Sequence, residues 1–410
     1  MPKRILYLSQ WFDPELIQKS GLDFVAALRS RGLDVEVLTG FPNYPTGRIM
    51  PGYRLGLYRY EVMRGVPVNR VFLYPSHSRS SLGRILNFLS FFLSSLIFCL
   101  LRARRYDAIY VYHPPITSAV AAALAGMLWR RPFILEVQDL WPESVAASGM
   151  TGTGTMARLL GPVCRFVYRR AAMVIGPSTS ITALLVERGA DPARSMTCFN
   201  WADEDAARSS GTYDLRPLGF EGRFNIVYGG NLGAVQGLDV LVKAAHQAAR
   251  DVPENLLTLI GEGIEKESLQ TLIREIGTTA VQIRPSVPRS QIGDVFTAAD
   301  VLALHLTDQP LFSVTVPSKL QFYLATGKPV LAAVKGEARK IVDDAGAGVT
   351  TAPDDVDAIA AAMIRMARLP RNTLAEMGEN ARSAYRERFS FDQTLDRIHA
   401  AIARVLDDPS

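Results

Sequence analysis

Short apolar runs alternate with longer amphipathic stretches along almost the whole chain, and this alternation constrains the fold more than any other feature. Residues 3–9 are one such run; residues 22–33 carry apolar side chains at helical spacing, and residues 35–39 form a second run. A strand, a helix and a second strand make a βαβ unit. Further runs follow at 106–112, 132–137, 172–175 and 195–199, then, beyond a polar stretch, at 224–228, 256–260, 281–283, 301–304, 329–332 and 348–349. Strands separated by helices predict parallel sheets covered on both faces, an α/β fold.

The charged, turn-rich segment at 201–221 (ADEDAARSSGTYDLRPLGFEGR from 202 on) divides the series in two. A chain of 410 residues exceeds one ordinary core. The expected domains are therefore 1–205 and 222–390, with a terminal amphipathic helix at 391–410 returning toward the first. No repeat of solenoid length is present. The net charge of +5 conceals an asymmetry, because residues 1–200 hold 23 Lys and Arg against 12 Asp and Glu. No zinc-finger, RNP or arginine-rich signature accompanies the basic half, so nucleic acid is not the expected partner. Anionic lipid or a phosphorylated substrate suits it better. Three widely spaced cysteines require no oxidising compartment, and the five histidines show no metal-ligand spacing. Polar residues soon after the first run argue against a signal-peptide core, so export is not expected.

Residues 85–101 (ILNFLSFFLSSLIFCLL) hold 17 residues without a charge, between Arg84 and the group Arg102, Arg104 and Arg105. A span needs about 20 apolar residues. Three readings stand: a membrane-crossing helix, a helix docked on the bilayer surface through residues 84–105, or a buried helix of the first domain. The flanking arginines favour the second.

Several strand ends carry chemistry. Gly230, Asn231 and Gly233 sit between a strand and a helix starting near Gly237, where glycines let backbone N–H groups approach an anion; a purely structural turn reads the same way. Ser318 and Lys319 open a helix that Gly327 closes. A cation in the first turn of a helix opposes the helix dipole unless an anion is present, which makes Lys319 a phosphate-ligand candidate. In the first domain Tyr44, His113, Glu136, Asp139 and Glu143 all follow strands, and the carboxyl ends of parallel strands are where open α/β sheets bind ligands. His113 and Asp139 are the catalytic candidates there, with N-capping or structural roles as the plainer alternatives. Neither a Walker A loop nor a GxGxxG fingerprint is present.

Six stretches in order, LTGFPNYPTG (38–47), EVQDLWPES (136–144), YGGNLGAVQGLD (228–239), LIGEG (259–263), AADVLALHL (298–306) and VPSKLQFYLATGKPV (316–330), carry a family resemblance. The chain resembles the retaining glycosyltransferases of family 4, and within them bacterial N-acetyl-L-fucosaminyl and colanic acid fucosyl transferases of surface polysaccharide assembly. The resemblance implies a GT-B fold, two Rossmann-like domains facing across a cleft with the C-terminal helix crossing back. It implies a UDP-sugar donor held by Gly230, Asn231, Gly233, Glu262, Ser318 and Lys319, no metal or other cofactor, and a polyprenyl-diphosphate-linked sugar acceptor. Tyr44, Glu136, Asp139 and Glu143 would lie on the acceptor side, with His113, Asp139 and Lys319 catalytic. A peripheral protein on the cytoplasmic face of the inner membrane follows. The chain departs from the family at its paired glutamates, whose positions are Val314 and Phe322 here; Glu337 is the candidate replacement. A nucleotide-sugar epimerase or hydrolase of the same fold, and a non-catalytic sugar-nucleotide-binding protein, are the alternatives.

Overall fold

A computed structural model describes residues 2–15, 21–76, 81–113, 115–141 and 153–407. The chain divides into two compact units, one of Met1–Phe199 with Leu395–Ser410 and one of Asn200–Thr394.

The first unit is built on an eight-stranded sheet in the order β3-β4-β2-β1-β5-β6-β7-β8. Its strands are β1 (Arg4–Leu8), β2 (Asp34–Gly40), β3 (Tyr58–Met63), β4 (Val66–Val71), β5 (Ala108–His113), β6 (Phe133–Val137), β7 (Met173–Gly176) and β8 (Ser195–Thr197). All neighbouring pairs are parallel except β3 with β4. β5 and β6 are buried along their whole length, which is why they read as largely apolar runs rather than as alternating ones, with His113 and Glu136 near their carboxyl ends as the exceptions. The β3–β4 hairpin was not anticipated from sequence. Its turn residues Arg64 and Gly65 both have positive φ (47° and 80°), the primed turn that two-residue hairpins favour.

The uncharged segment lies within one helix, Ser81–Arg102, packed along the alanine-rich helix Ile116–Trp129. Three of its polar residues, Asn87, Ser90 and Ser95, are turned toward the rest of the unit. Asn87 is buried, accepting from the Gln10 side chain (2.6 Å) and donating to the Tyr74 carbonyl (2.7 Å). Ser95 is buried too, and Ser90 Oγ accepts from the Tyr74 N–H (2.7 Å). Leu82, Leu86, Leu89, Leu93, Ile97 and Leu101, spaced three or four apart, form the exposed face. This is the inverse of an ordinary surface helix.

The second unit holds a six-stranded, all-parallel sheet in the order β11-β10-β9-β12-β13-β14. These are β9 (Phe224–Gly229), β10 (Asn255–Ile260), β11 (Val281–Arg284), β12 (Val301–His305), β13 (Val330–Ala333) and β14 (Gly348–Thr351). Its core joins Ile226 and Leu257 from the strands to Leu241, Val242 and Met363 from the covering helices. The terminal helix Phe391–Asp407 passes from this unit to the first, where Asp396 pairs with Arg31 (2.8 Å) and Arg404 donates to the Ala193 carbonyl (2.8 Å).

In each sheet the strand order reverses beside the first strand of the unit: β1 lies between β2 and β5, and β9 between β10 and β12. The connections leave in opposite directions at such a point, opening a crevice at the carboxyl ends of the two strands. The residues just beyond β1, β5, β9 and β12 are therefore the ones to inspect.

Candidate active site

In the second unit the chain leaves β9 through Gly229 and Gly230 and reaches the helix Leu238–Ala248 by way of Gly237. Gly230 has φ +136°, which side chains rarely adopt, and a Cβ there would run into the Lys319 side chain. The turn after β10 nests against it. Gly230 N–H donates to the Ile260 carbonyl (2.9 Å), Leu232 N–H to Glu262 O (2.8 Å), and Glu265 N–H to Leu232 O (2.9 Å). Side chains at Gly261 or Gly263 would collide with the Gly230 and Leu232 carbonyls, so the glycines of LIGEG allow two strand-end turns to share one space.

His305, the last residue of β12, supports the turn from below. It is fully buried; its Nδ1 lies 2.7 Å from the Gln236 carbonyl, and the Asp354 N–H donates to its Nε2 (3.4 Å). Those partners fix the proton on Nδ1, and burial lowers the pKa, so the ring is neutral. A Cβ at Gly237 would strike this ring. No motif reading singled out His305, because its partners lie 69 and 49 residues away.

Lys319 lies in the first turn of the helix Ser318–Thr326. Its ammonium stands 4.3 Å from the centre of the Tyr228 ring and donates to the Tyr228 hydroxyl, which in turn donates to Asn231 O (2.7 Å). Desolvation pushes the Lys319 pKa down to about 8. Among the described residues no carboxylate pairs with it. A cation at a helix start, short of water and without a counter-ion, is electrostatically incomplete. Gly230 and Asn231 lie open to solvent beside it, whereas Gly233 is buried and donates its N–H to Gln236 Oε1 (3.2 Å).

The remaining expected residues of this unit are placed as follows. Ser318 is exposed and caps no N–H. The Glu262 carboxylate is exposed and pairs with Lys266 (2.9 Å). Glu337 is buried in the first turn of the helix Gly336–Ala345, just beyond β13. Of the family's glutamate positions, Phe322 now stands edge-on to Phe296 (5.7 Å), the ring that fills the space beside Gly229.

In the first unit His113 ends β5. It is fully buried, neither ring nitrogen has a hydrogen-bond partner among the described residues, and burial pushes its pKa down to about 3. An unpaired buried imidazole is costly to hold. It meets Trp141 edge-on (6.3 Å), Trp141 meets Phe88 (6.0 Å), Phe88 meets Trp11 (6.4 Å), and Trp11 meets Tyr44 (5.6 Å). This aromatic line joins the Ser81–Arg102 helix to the ends of β1, β2 and β5. Asp139 opens to solvent just beyond β6, within a surround of protein atoms that raises its pKa. The Glu136 carboxylate is buried and takes hydrogen bonds from Tyr110 (2.5 Å) and Gln138 (2.7 Å), a structural commitment. Glu143 lies outside the described residues.

Glu15 was missed by the sequence reading. Its buried carboxylate accepts the backbone N–H groups of Phe12 (3.1 Å), Asn43 (2.6 Å) and Tyr44 (2.7 Å), stapling the 41–47 loop to the end of β1. Desolvation outweighs those bonds and raises its pKa. Among the described residues no group of three or more His, Cys, Asp or Glu is disposed to hold a metal ion.

Residues 18–201 match the family described as glycosyl transferase 4-like domain, and residues 215–384 match glycosyl transferases group 1. Similar proteins include the putative colanic acid biosynthesis glycosyl transferase WcaI of Escherichia coli, 28% identical over 91% of this chain and 94% of that protein. The probable glycosyltransferase WbjE of Pseudomonas aeruginosa is 25% identical over 75% of this chain and 77% of that one. The crystal structure of Anabaena HepE in complex with UDP shares the fold over 98% of this chain and 100% of that chain, with a TM-score of 0.70 at 19% identity.

Proposed function

This chain belongs to the glycosyl transferases, with a 4-like domain ahead of a group 1 domain and a GT-B fold, and from that premise we propose that it moves a sugar from a UDP-sugar to a polyprenyl-diphosphate-linked sugar, with retention at the anomeric carbon. N-acetyl-L-fucosamine or another N-acetylated deoxysugar is the candidate donor sugar. The observation that carries the donor half is the uncompensated Lys319 ammonium beside open Gly230 and Asn231, at the point where the sheet order reverses. A diphosphate supplies the missing negative charge.

In the reaction the bond between the anomeric carbon and the diphosphate oxygen breaks with its electron pair going to UDP. The acceptor hydroxyl oxygen bonds to the same face of that carbon, and its proton passes to the departing diphosphate. Negative charge grows on UDP as the bond breaks, so a pre-placed cation stabilises the transition state more than the ground state. Lys319 takes that role, with Ser318 and the open turn at Gly230 and Asn231 around the phosphates and buried Gly233 shaping that turn. Glu262 and Glu337, both beyond strand ends, are the carboxylates assigned to ribose and sugar hydroxyls. In the first unit Asp139 and Tyr44 are assigned to the acceptor, and neutral His113, fully buried against Trp141, offers its unpaired ring nitrogens to a hydroxyl once that ring is displaced. Titration of the protein with UDP tests the donor half: one saturable site, weakened severely in Lys319→Ala, is expected, and equal affinity in the two proteins would contradict it.

The exposed face of Ser81–Arg102 supports a peripheral, monotopic seat on the cytoplasmic face of the inner membrane. The helix is long and apolar enough to span a bilayer by length and composition. Its polar side chains, however, are spent on Gln10 and Tyr74 of the first unit, an arrangement that suits lying along the surface. Half-exposed leucines contribute roughly 1 kcal/mol each on burial in acyl chains, and the flanking arginines reach anionic head groups.

A further inference from the structure

At the opposite end of the first unit's sheet from His113, beside the starts of β6 and β7, lies a recess of about 190 Å³. Arg130, Arg131, Arg170 and Arg194 line it, with Met127 and Phe133 between them, and among the described residues no carboxylate is in the lining. Arg194 pairs with Asp191 (3.7 Å). Arg130, Arg131 and Arg170 pair with no carboxylate among the described residues. Arg131 donates to the Arg104 carbonyl (3.0 Å), while its buried Nε has no partner.

Cations at helix ends have a plain explanation. Arg130 follows the helix Ile116–Trp129 and Arg170 ends the helix Thr153–Arg170, so each meets the negative end of a dipole. That accounts for part of the charge only. Two helix ends offer roughly half a negative charge each, against three unpaired guanidinium groups. Arg130 also holds φ +51°, at a helix terminus where glycine is the usual and relaxed choice. An arginine kept in that conformation, against like-charged neighbours, fits a recess whose charge is completed by an anion.

Met127 both lines the recess and is 48% exposed, and on the same helix Leu124 and Leu128 are 37% and 59% exposed. This apolar surface belongs to the helix that packs along Ser81–Arg102. Most pockets for organic ligands run to roughly 300–1,000 Å³, so the recess suits a phosphate group rather than a nucleotide. We propose that it binds the phosphodiester head group of one anionic phospholipid, whose acyl chains lie over Leu124, Met127 and Leu128. The proposal rests on the membrane-seated reading of the Ser81–Arg102 helix, and it adds a specific lipid contact at the other end of the first unit's sheet from His113.

The test uses the full chain and dihexanoyl phosphatidylglycerol below its micelle concentration, titrated calorimetrically. One saturable site per chain is expected, with affinity at least tenfold weaker in Arg130→Gln/Arg170→Gln and in Met127→Glu, both retaining wild-type UDP binding. Met127→Glu puts a carboxylate at the recess from an already exposed position, so its fold is not at stake. Unchanged affinity in the two variants, or no saturable site in the folded wild type, would overturn the proposal. Inorganic phosphate competing as tightly as the lipid would overturn the lipid as its source. Failure of the helix reading shows separately, as wild-type protein that does not partition onto neutral phosphatidylcholine vesicles while its soluble-lipid site stays intact.

Discussion

The Lys319 ammonium lies 4.3 Å from the centre of the Tyr228 ring and donates to its hydroxyl, and Tyr228 stands two residues before the open turn at Gly230. Because Tyr228 passes its own proton to Asn231 O, the cation, the strand end and the glycine turn form one unit. Replacing Lys319 with Met removes a charge that the unliganded protein holds at a cost. The expected result at pH 7 is a free protein about 1–2 kcal/mol more stable to urea, with UDP affinity reduced at least thirtyfold.

The same lysine sets a pH dependence. Its folded-state pKa is lowered from the ordinary 10.5 to about 8, so the folded protein releases this proton before the unfolded chain does. The group's contribution to stability is therefore least favourable below pH 8 and improves as pH rises from 8 toward 10.5. A bound diphosphate favours the charged form, so UDP affinity should fall up to tenfold per unit above pH 8. Calorimetry at pH 7, 8 and 9 should show this slope in the wild type and its loss in Lys319→Met.

His113 is neutral throughout the physiological range, since burial holds its pKa near 3. Acceptor turnover should show no limb between pH 5 and 7 from this ring. His113→Phe replaces a ring that has no hydrogen bonds to lose. It should leave the melting temperature within a few degrees and UDP binding unchanged, while lowering transfer to acceptor about a hundredfold.

Glu15→Ala orphans three backbone N–H groups, two in the 41–47 loop (Asn43 and Tyr44) and one at Phe12 beyond β1. Destabilisation of about 1–3 kcal/mol by chemical denaturation is expected. At a temperature where the variant remains folded, KM for the acceptor should rise with UDP affinity unaltered.

Leu89→Glu/Leu93→Glu places two carboxylates on the exposed face of the Ser81–Arg102 helix. Vesicle co-sedimentation should drop at least tenfold with an intact circular dichroism spectrum. Unchanged sedimentation would remove the helix from membrane binding.

The buried parallel strands were legible because a strand covered on both faces is dominated by apolar residues, as in Ala108–His113 and Phe133–Val137, where His113 and Glu136 are the exceptions near the carboxyl ends. The β3–β4 hairpin escaped because Arg64 stands where an Asn or Asp would have signalled the primed turn, and because β3 is a largely exposed edge strand. For residues 85–101 composition left three readings open; only the inward pairing of Asn87 and Ser90 shows which face looks out. In the site, Lys319 and the glycine turn were readable from local chemistry, since a cation at a helix start and glycines after a strand each break a local preference. Glu15 and His305 were not, because their roles consist of contacts made across tens of residues. Glu136 was singled out by its position alone, and its hydrogen bonds from Tyr110 and Gln138 were not legible in the sequence.

The central claim is transfer from a nucleotide sugar to a lipid-linked sugar, and mass spectrometry of the acceptor tests it most directly. Detergent-solubilised protein would be incubated with UDP-, GDP- and dTDP-sugars and short-chain polyprenyl-diphosphate sugars. The account expects an acceptor heavier by one glycosyl unit with a UDP-sugar, in the wild type and not in Lys319→Ala. A nucleotide sugar altered in acceptor-free controls, with no acceptor product under any condition, would contradict it and favour an epimerase or hydrolase.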